Sequence, residues 1–210
     1  RRKIGPALTF KPTLLGFVEA AVNQREFRGP STSDGIFRNS TGDRFRAGIG
    51  FGNTSQILRG EASFGCGEQR PNDPRLPTID GPLVDANIAW RIDDSNAILL
   101  RANTDVVEKT VAGSLGGFMR RGSIEWRHAL LKPLIVTAGV GKAVTNYQGI
   151  VLTEQLSDAA LGLEYYLAPE AIIYSRWQHS IYRSTGSTNN WDGDEFRVGL
   201  DRKSTRLNSS

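Results

Sequence analysis

The sequence predicts an all-β chain folded as an antiparallel up-and-down meander, part of a transmembrane β-barrel. Three observations carry this. Apolar and charged residues alternate over long runs, turn signals recur about every 40 residues, and no run approaches the ~18 consecutive apolar residues of a membrane helix.

The alternation is clearest in "VDANIAWRIDDSNAILLRANTD" (84–105). Val84, Ala86, Ile88, Trp90 and Ile92 share one phase, while Asp85, Asn87 and Arg91 share the other. After Asp93-Asp94-Ser95 the phase resumes, with Ile98, Leu100 and Ala102 set against Arg101, Asn103 and Asp105. Successive side chains of a strand point to opposite faces, so this segment reads as a hairpin with one oily and one charged face.

The other elements follow in order. Strands are expected at roughly 4–10, 14–27, 43–51, 56–68, 83–92, 96–107, 117–130, 134–145, 156–167, 171–182 and 194–200, ten or eleven in all. Most exceed the ~5–6 residues usual in soluble sheets and reach the ~9–11 that a tilted strand needs to cross a bilayer. Short turns are expected at Lys11-Pro12-Thr13, Gly52 to Ser55, Asp93 to Ser95, Leu131-Lys132-Pro133 and Ala168-Pro169-Glu170. Polar loops are expected between them, at 28–43, 69–81, near 109–116, near 146–154 and at 183–193. Short turns and long loops therefore alternate, as at the two rims of a membrane barrel.

One phase carries Val18, Ala20, Val22, Phe45, Ala47, Ile49, Phe64, Ile124, Trp126, Val136, Val140, Leu161, Leu163, Phe196 and Val198. The other is charged. Its candidates for a lumen are Arg46, Arg59, Glu61, Asp85, Arg91, Arg101, Asp105, Arg121, Glu125, Arg127, Glu164 and Arg176. Acids and bases are interleaved there, which suits cross-strand ion pairs. A propeller repeats at a similar period but with four short strands per blade. A sandwich needs large interior side chains, and many apolar-phase positions here are Ala or Gly.

Several chemistries find no support in the sequence. One cysteine, Cys66, rules out an internal disulfide, and it reads as a small hydrophobe on the apolar phase. Two histidines, His128 and His179, rule out a multi-histidine metal cage, and no cofactor is expected. "GIGFG" (48–52) and "GVGK" (139–142) fall inside strands with no helix to follow, so they are not phosphate loops. "EASFG" (61–65) lacks the first glycine of a nucleophile elbow. His179 and Ser175 share the apolar phase, a thin basis for lipid hydrolysis, and no enzyme is expected.

The net charge is +4. "DRKSTRLNSS" (201–210) reads as the translation of a sequencing adapter rather than as barrel, so residues 1–200 are taken as the partial barrel and 201–210 as a non-native tail. Without it the net charge falls to about +2, which is no nucleic-acid signature. The opening "RRKIGPALTFKPTLLGF" is no signal peptide, because Lys11-Pro12 breaks its apolar run, so it is read as the interior of a longer protein.

Five hairpin cadences carry a family resemblance. They are "LTFKPTLLGFVEAAVNQREF", "RFRAGIGFGNTSQILRGEASFG", "VDANIAWRIDDSNAILLRANTD", "SIEWRHALLKPLIVTAGVGKAVTNY" and "AALGLEYYLAPEAIIYSRWQHSIY". The chain resembles the β-barrel porins of Gram-negative, alphaproteobacterial outer membranes. The resemblance implies an outer-membrane location, contact with outer-membrane lipid, and passage of small polar or anionic solutes through a charged lumen. A closing C-terminal strand ending in an aromatic, usual in the family, is absent here. A non-conducting structural or surface-display barrel and a soluble β-sheet binding protein stand as alternatives.

Overall fold

A computed structural model describes residues 2–4, 7–11, 13–31, 34–107, 112–168, 170–186 and 190–202, the first two strands by their backbone pairing. The elements are β1 (Arg2–Ile4), β2 (Ala7–Lys11), β3 (Leu14–Arg25), β4 (Ser40–Phe51), β5 (Leu58–Pro71), β6 (Ile79–Arg91), β7 (Asn96–Val107), β8 (Gly117–Leu131), β9 (Leu134–Tyr147), β10 (Thr153–Ala168), β11 (Ala171–Ser184) and β12 (Trp191–Arg202). From β3 to β12 every strand pairs antiparallel with its chain neighbours, in one sheet. β1 and β2 both lie along the free edge of β3 in a single register, with Ile4↔Ala20 and Ala7↔Phe17. The strand expected at 4–10 is thus described on either side of residues 5 and 6, which lie outside the described residues. Among the described residues β12 pairs only with β11, so the meander has an open edge there.

Alternation becomes two coherent faces because the register keeps the phases together. Ile88, Leu100, Ile124, Val140 and Ala159 form one cross-strand row. The adjacent row on the other face runs Asn87, Arg101, Ser123, Gly141 and Asp158. The exposure of the two faces is inverted relative to a soluble protein. Phe64 is 66% exposed and Val140 56%, whereas Arg46, Arg44 and Glu19 are only about 15% exposed. Side chains crowd on the concave side of a curved sheet and spread on its convex side, so the charged face is the inner one. The chain exposes 13693 Å² for 23.0 kDa. A compact soluble monomer of that mass would expose about 9,600 Å². An apolar convex face of this extent is stable only against lipid, as in a transmembrane β-barrel.

The connections lie at 12–13, 52–57, 92–95, 132–133 and 169–170 on one rim, and at 26–39, 72–78, 108–116, 148–152 and 185–190 on the other. The contrast in length is weaker than expected, since 52–57 is no shorter than 148–152. Strands run further toward the second rim than their composition suggested: β6 begins at Ile79 and β4 at Ser40. β12 likewise continues through Asp201 and Arg202, paired with Ile172 and Ala171. The barrel boundary expected at residue 200 is thus passed by two residues, while 203–210, Pro12 and Pro169 lie outside the described residues.

The principal buried apolar cluster sits at the long-loop rim. It joins Ile79 and Leu83 of β6 and Phe118 of β8 to Ile36, Leu76 and Leu115 from three loops. Ile79 and Leu83 occupy the polar phase, where Asp85 follows. β6–β7 pairing stops at Asp85↔Asn103, and beyond it Phe118 covers Gly81 so closely that an added methyl would lie 3.1 Å from its ring. The two sides of this gap are closed by packing instead of by backbone hydrogen bonds.

Candidate lumen face and loop cap

The inner face divides into two electrostatic parts. Across β3 to β7 runs one group of matched charges. Glu19 forms an ion pair with Arg44 at 3.3 Å and accepts a hydrogen bond from Arg46 at 2.9 Å, and Arg46 reaches on to Asp85 at 3.5 Å. Arg46 can cross β5 because the positions beneath it are Gly65 and Ser63, which leave the space open. Asn103 of β7 also donates to Asp85, at 3.4 Å. A second matched group lies across β8 to β10, where Arg127 meets Glu164 at 2.8 Å and Glu125 at 3.9 Å.

Between them lies a recess of about 240 Å³. Arg101, Arg121 and Arg176 line it, with Ser123, Glu125, Asp158 and Gln178, over a floor that includes Gly139, Gly141 and Ala160. None of the three arginines is paired with a carboxylate of the described residues. Small floor residues matter here: a Cβ at Gly141 would lie 2.8 Å from the Asp158 carboxylate, so only glycine lets that acid lie flat in the recess.

The remaining candidates sit elsewhere. Arg59 donates to the carbonyl of Thr54 and Arg91 to that of Ser55, both at 3.0 Å, which places them at the short-turn rim. Glu61 lies opposite Asn87, and Asp105 lies beside Met119 near the long-loop rim, both exposed. Glu19, Arg44 and Asp158 belong to these groups although they were not among the candidates. Their phase was legible, but which charges meet depends on the register.

Four long-rim loops are tied together. Arg38, buried, donates to Asp34 at 2.7 Å and to the carbonyl of Ser114. The Gly113 N–H reaches Asp34 at 3.4 Å, the Ser114 hydroxyl donates to the Gln148 carbonyl at 2.6 Å, and the Asn72 N–H donates to the Asn39 carbonyl at 2.8 Å. The polar composition of these loops predicts plain connections. The signal against it is the large apolar residue that three of the four loops place in the core: Ile36, Leu76 and Leu115.

Burial opposes ionisation of Asp34, but the Ile36 N–H, the charge of Arg38 and the Gly113 N–H outweigh it and hold its pKa below the ordinary 3.8. The stability that Asp34 lends the cap is therefore complete above the unfolded value and is lost as pH falls through the lower folded one. We expect protection of the Gly113 amide, its exchange rate relative to the intrinsic rate at the same pH, to be steady above pH ~4 and to be lost below it, with Asp34→Asn abolishing that acid-dependent step. In the loop 72–78, Arg75 donates from its side chain to Asp73 and depresses that carboxyl to about 2.

Both histidines lie on the outer face in matching arrangements. Trp126 and His128 stack at 5.3 Å and share Asn96 Oδ1, at 3.1 and 2.9 Å. Trp177 and His179 stack at 6.3 Å and share Asp194 Oδ1, each at 3.0 Å. Such amphipathic ring pairs suit a membrane interface.

Comparison with known proteins agrees with this architecture. No curated protein matches the sequence. Among solved structures, the chain is similar to one titled "Crystal structure of the outer membrane channel DcaP of Acinetobacter baumannii", with a TM-score of 0.63 and 12% identity over 94% of this chain. The chain spans 60% of the length of that structure, and at this identity the likeness is one of fold. The profile of the family described as "Putative beta-barrel porin 2" matches residues 7–204. With an inward charged face, an outward apolar face and a match over nearly its whole length, the chain belongs to this β-barrel porin family.

Proposed function

We propose that the protein is a porin-like barrel of a Gram-negative outer membrane that passes small polar solutes, anions foremost, along its inner face. The observation that carries the anion preference is the recess of Arg101, Arg121 and Arg176, whose guanidinium charges have no carboxylate partner among the described residues while the flanking groups do. Unpaired arginines on a hydrated wall attract anions and offer them bidentate hydrogen bonds that are weak enough to release. The convex face contacts lipid, and no catalytic step is assigned. His179 is engaged by Asp194, and Ser175 lies four residues from it along the same strand, about 13 Å away.

The test is single-channel recording of the intact protein in planar bilayers under a salt gradient. We expect stepwise conductance and a reversal potential on the anion-selective side. Replacing Arg101, Arg121 and Arg176 together with Ala should move the reversal potential toward zero or to cation selectivity. Unchanged selectivity would sink the role given to the recess. The tied loops favour one second reading, a closed surface-display barrel, and absence of conductance from correctly folded protein would establish it.

A further inference from the structure

The outer face carries a groove that the passage of solutes does not use. It lies across β8 to β11, has a volume of about 500 Å³, and is lined by Gly122, Ile124, Val140, Lys142, Ala159 and His179. Its walls are the apolar phase, and a Cβ added at Gly122 would meet nothing within 4 Å, so the groove is open above that glycine. Lys142 breaks the phase. It follows Val140 on the outer face, stands directly across from Gly122, and is exposed. Arg120, also exposed on the outer phase, is its diagonal neighbour on β8. Neither is paired with a carboxylate of the described residues. Among the described residues, the outer-face acids nearest the groove lie on β12 and are occupied, Asp192 by Arg183 at 2.5 Å and Asp194 by Trp177 and His179, while Asp43, Glu68 and Asp80 lie across the sheet on β4 to β6.

A charged pair at the edge of an apolar groove, on the long-rim side of the hydrocarbon-facing wall, matches the two ends of one molecule. We infer that this groove seats a lipid of the leaflet on the long-loop side, its acyl chain over Gly122 and Ala159 and its phosphate head on Lys142 and Arg120. Diagonal side chains on neighbouring strands stand about 7–8 Å apart at the backbone, within reach of one phosphate held between two long cationic side chains. The Lys142 stem lies along the apolar wall while its ammonium reaches the head-group level.

The inference rests on the membrane-barrel fold and not on solute passage, so its test leaves conductance aside. The intact protein is reconstituted with equal amounts of phosphatidylglycerol and phosphatidylcholine of the same chains, then extracted, and retained lipid is counted by native mass spectrometry. Preferential retention of phosphatidylglycerol is expected. Each charge removed by Lys142→Ala or Arg120→Ala should lower that preference about fivefold, and the double variant roughly 25-fold. Gly122→Leu, which keeps both charges and fills the groove, should also release the lipid. Equal retention by wild type and double variant would overturn the assignment, as would displacement of the lipid by millimolar inorganic phosphate. If Gly122→Leu alters oligomeric state and leaves lipid retention intact, the groove is a contact between copies of this chain and the lipid seat is wrong.

Discussion

Ile79→Ala should destabilise the protein by about 2–5 kcal/mol, the range for a large aliphatic side chain removed from a packed interior. Ile79 is fully buried between β6, β8 and three loops, and its neighbours Leu83, Phe118 and Leu115 are fixed by the sheet and by the Arg38 ties, so the vacated space cannot collapse. Ile88→Ala deletes the same atoms from the outer face. There the loss is the transfer term alone, because fluid acyl chains fill the missing volume. The difference between the two variants should be about 1–2 kcal/mol, the size of a cavity term. Urea titration of the intact protein refolded in lipid vesicles measures both. Equal losses would mean that Ile88 packs against protein.

The second large effect comes from charge on the outer face. Ile88 lies in the row with Leu100, Ile124 and Val140, while Asn87 beside it faces Glu61 and Arg101. Ile88→Arg should cost about 2–4 kcal/mol near the bilayer midplane. Asn87→Arg should change stability little, because the inner face is hydrated and Glu61 offers a partner. The same urea titration, with the gel mobility of unboiled samples, reads the contrast. A larger loss from Asn87→Arg than from Ile88→Arg would reverse the assignment of faces.

What could be read from the chain was whatever the backbone repeats locally. Period-two alternation places Ile88 and Asn87 on opposite faces in any strand, and polar turn residues at 93–95 close a hairpin whatever surrounds it. Chain-order pairing from β3 to β12 follows, because antiparallel neighbours joined by short connections need no crossover. Even so, the alternation could not say which face is concave. That took curvature, which leaves Arg46 about 14% exposed and Phe64 66%.

The particular encounters of charges belong to the tertiary structure alone. Glu19 meets both Arg44 and Arg46 only because β3 and β4 pair in one register, and Arg46 meets Asp85 only because β5 presents Gly65 and Ser63 between them. Arg101, Arg121 and Arg176 come from three strands, and no local pattern marks them as the arginines left unpaired. Ile79 and Leu83 break the polar phase for a reason visible only in three dimensions: the β6–β7 ladder ends at Asp85, and packing with Phe118 and the loops takes over beyond it. Side-chain phase is a property of one strand, whereas a partner across the sheet is set by register, curvature and the size of what lies between, and these exist only once the sheet has formed.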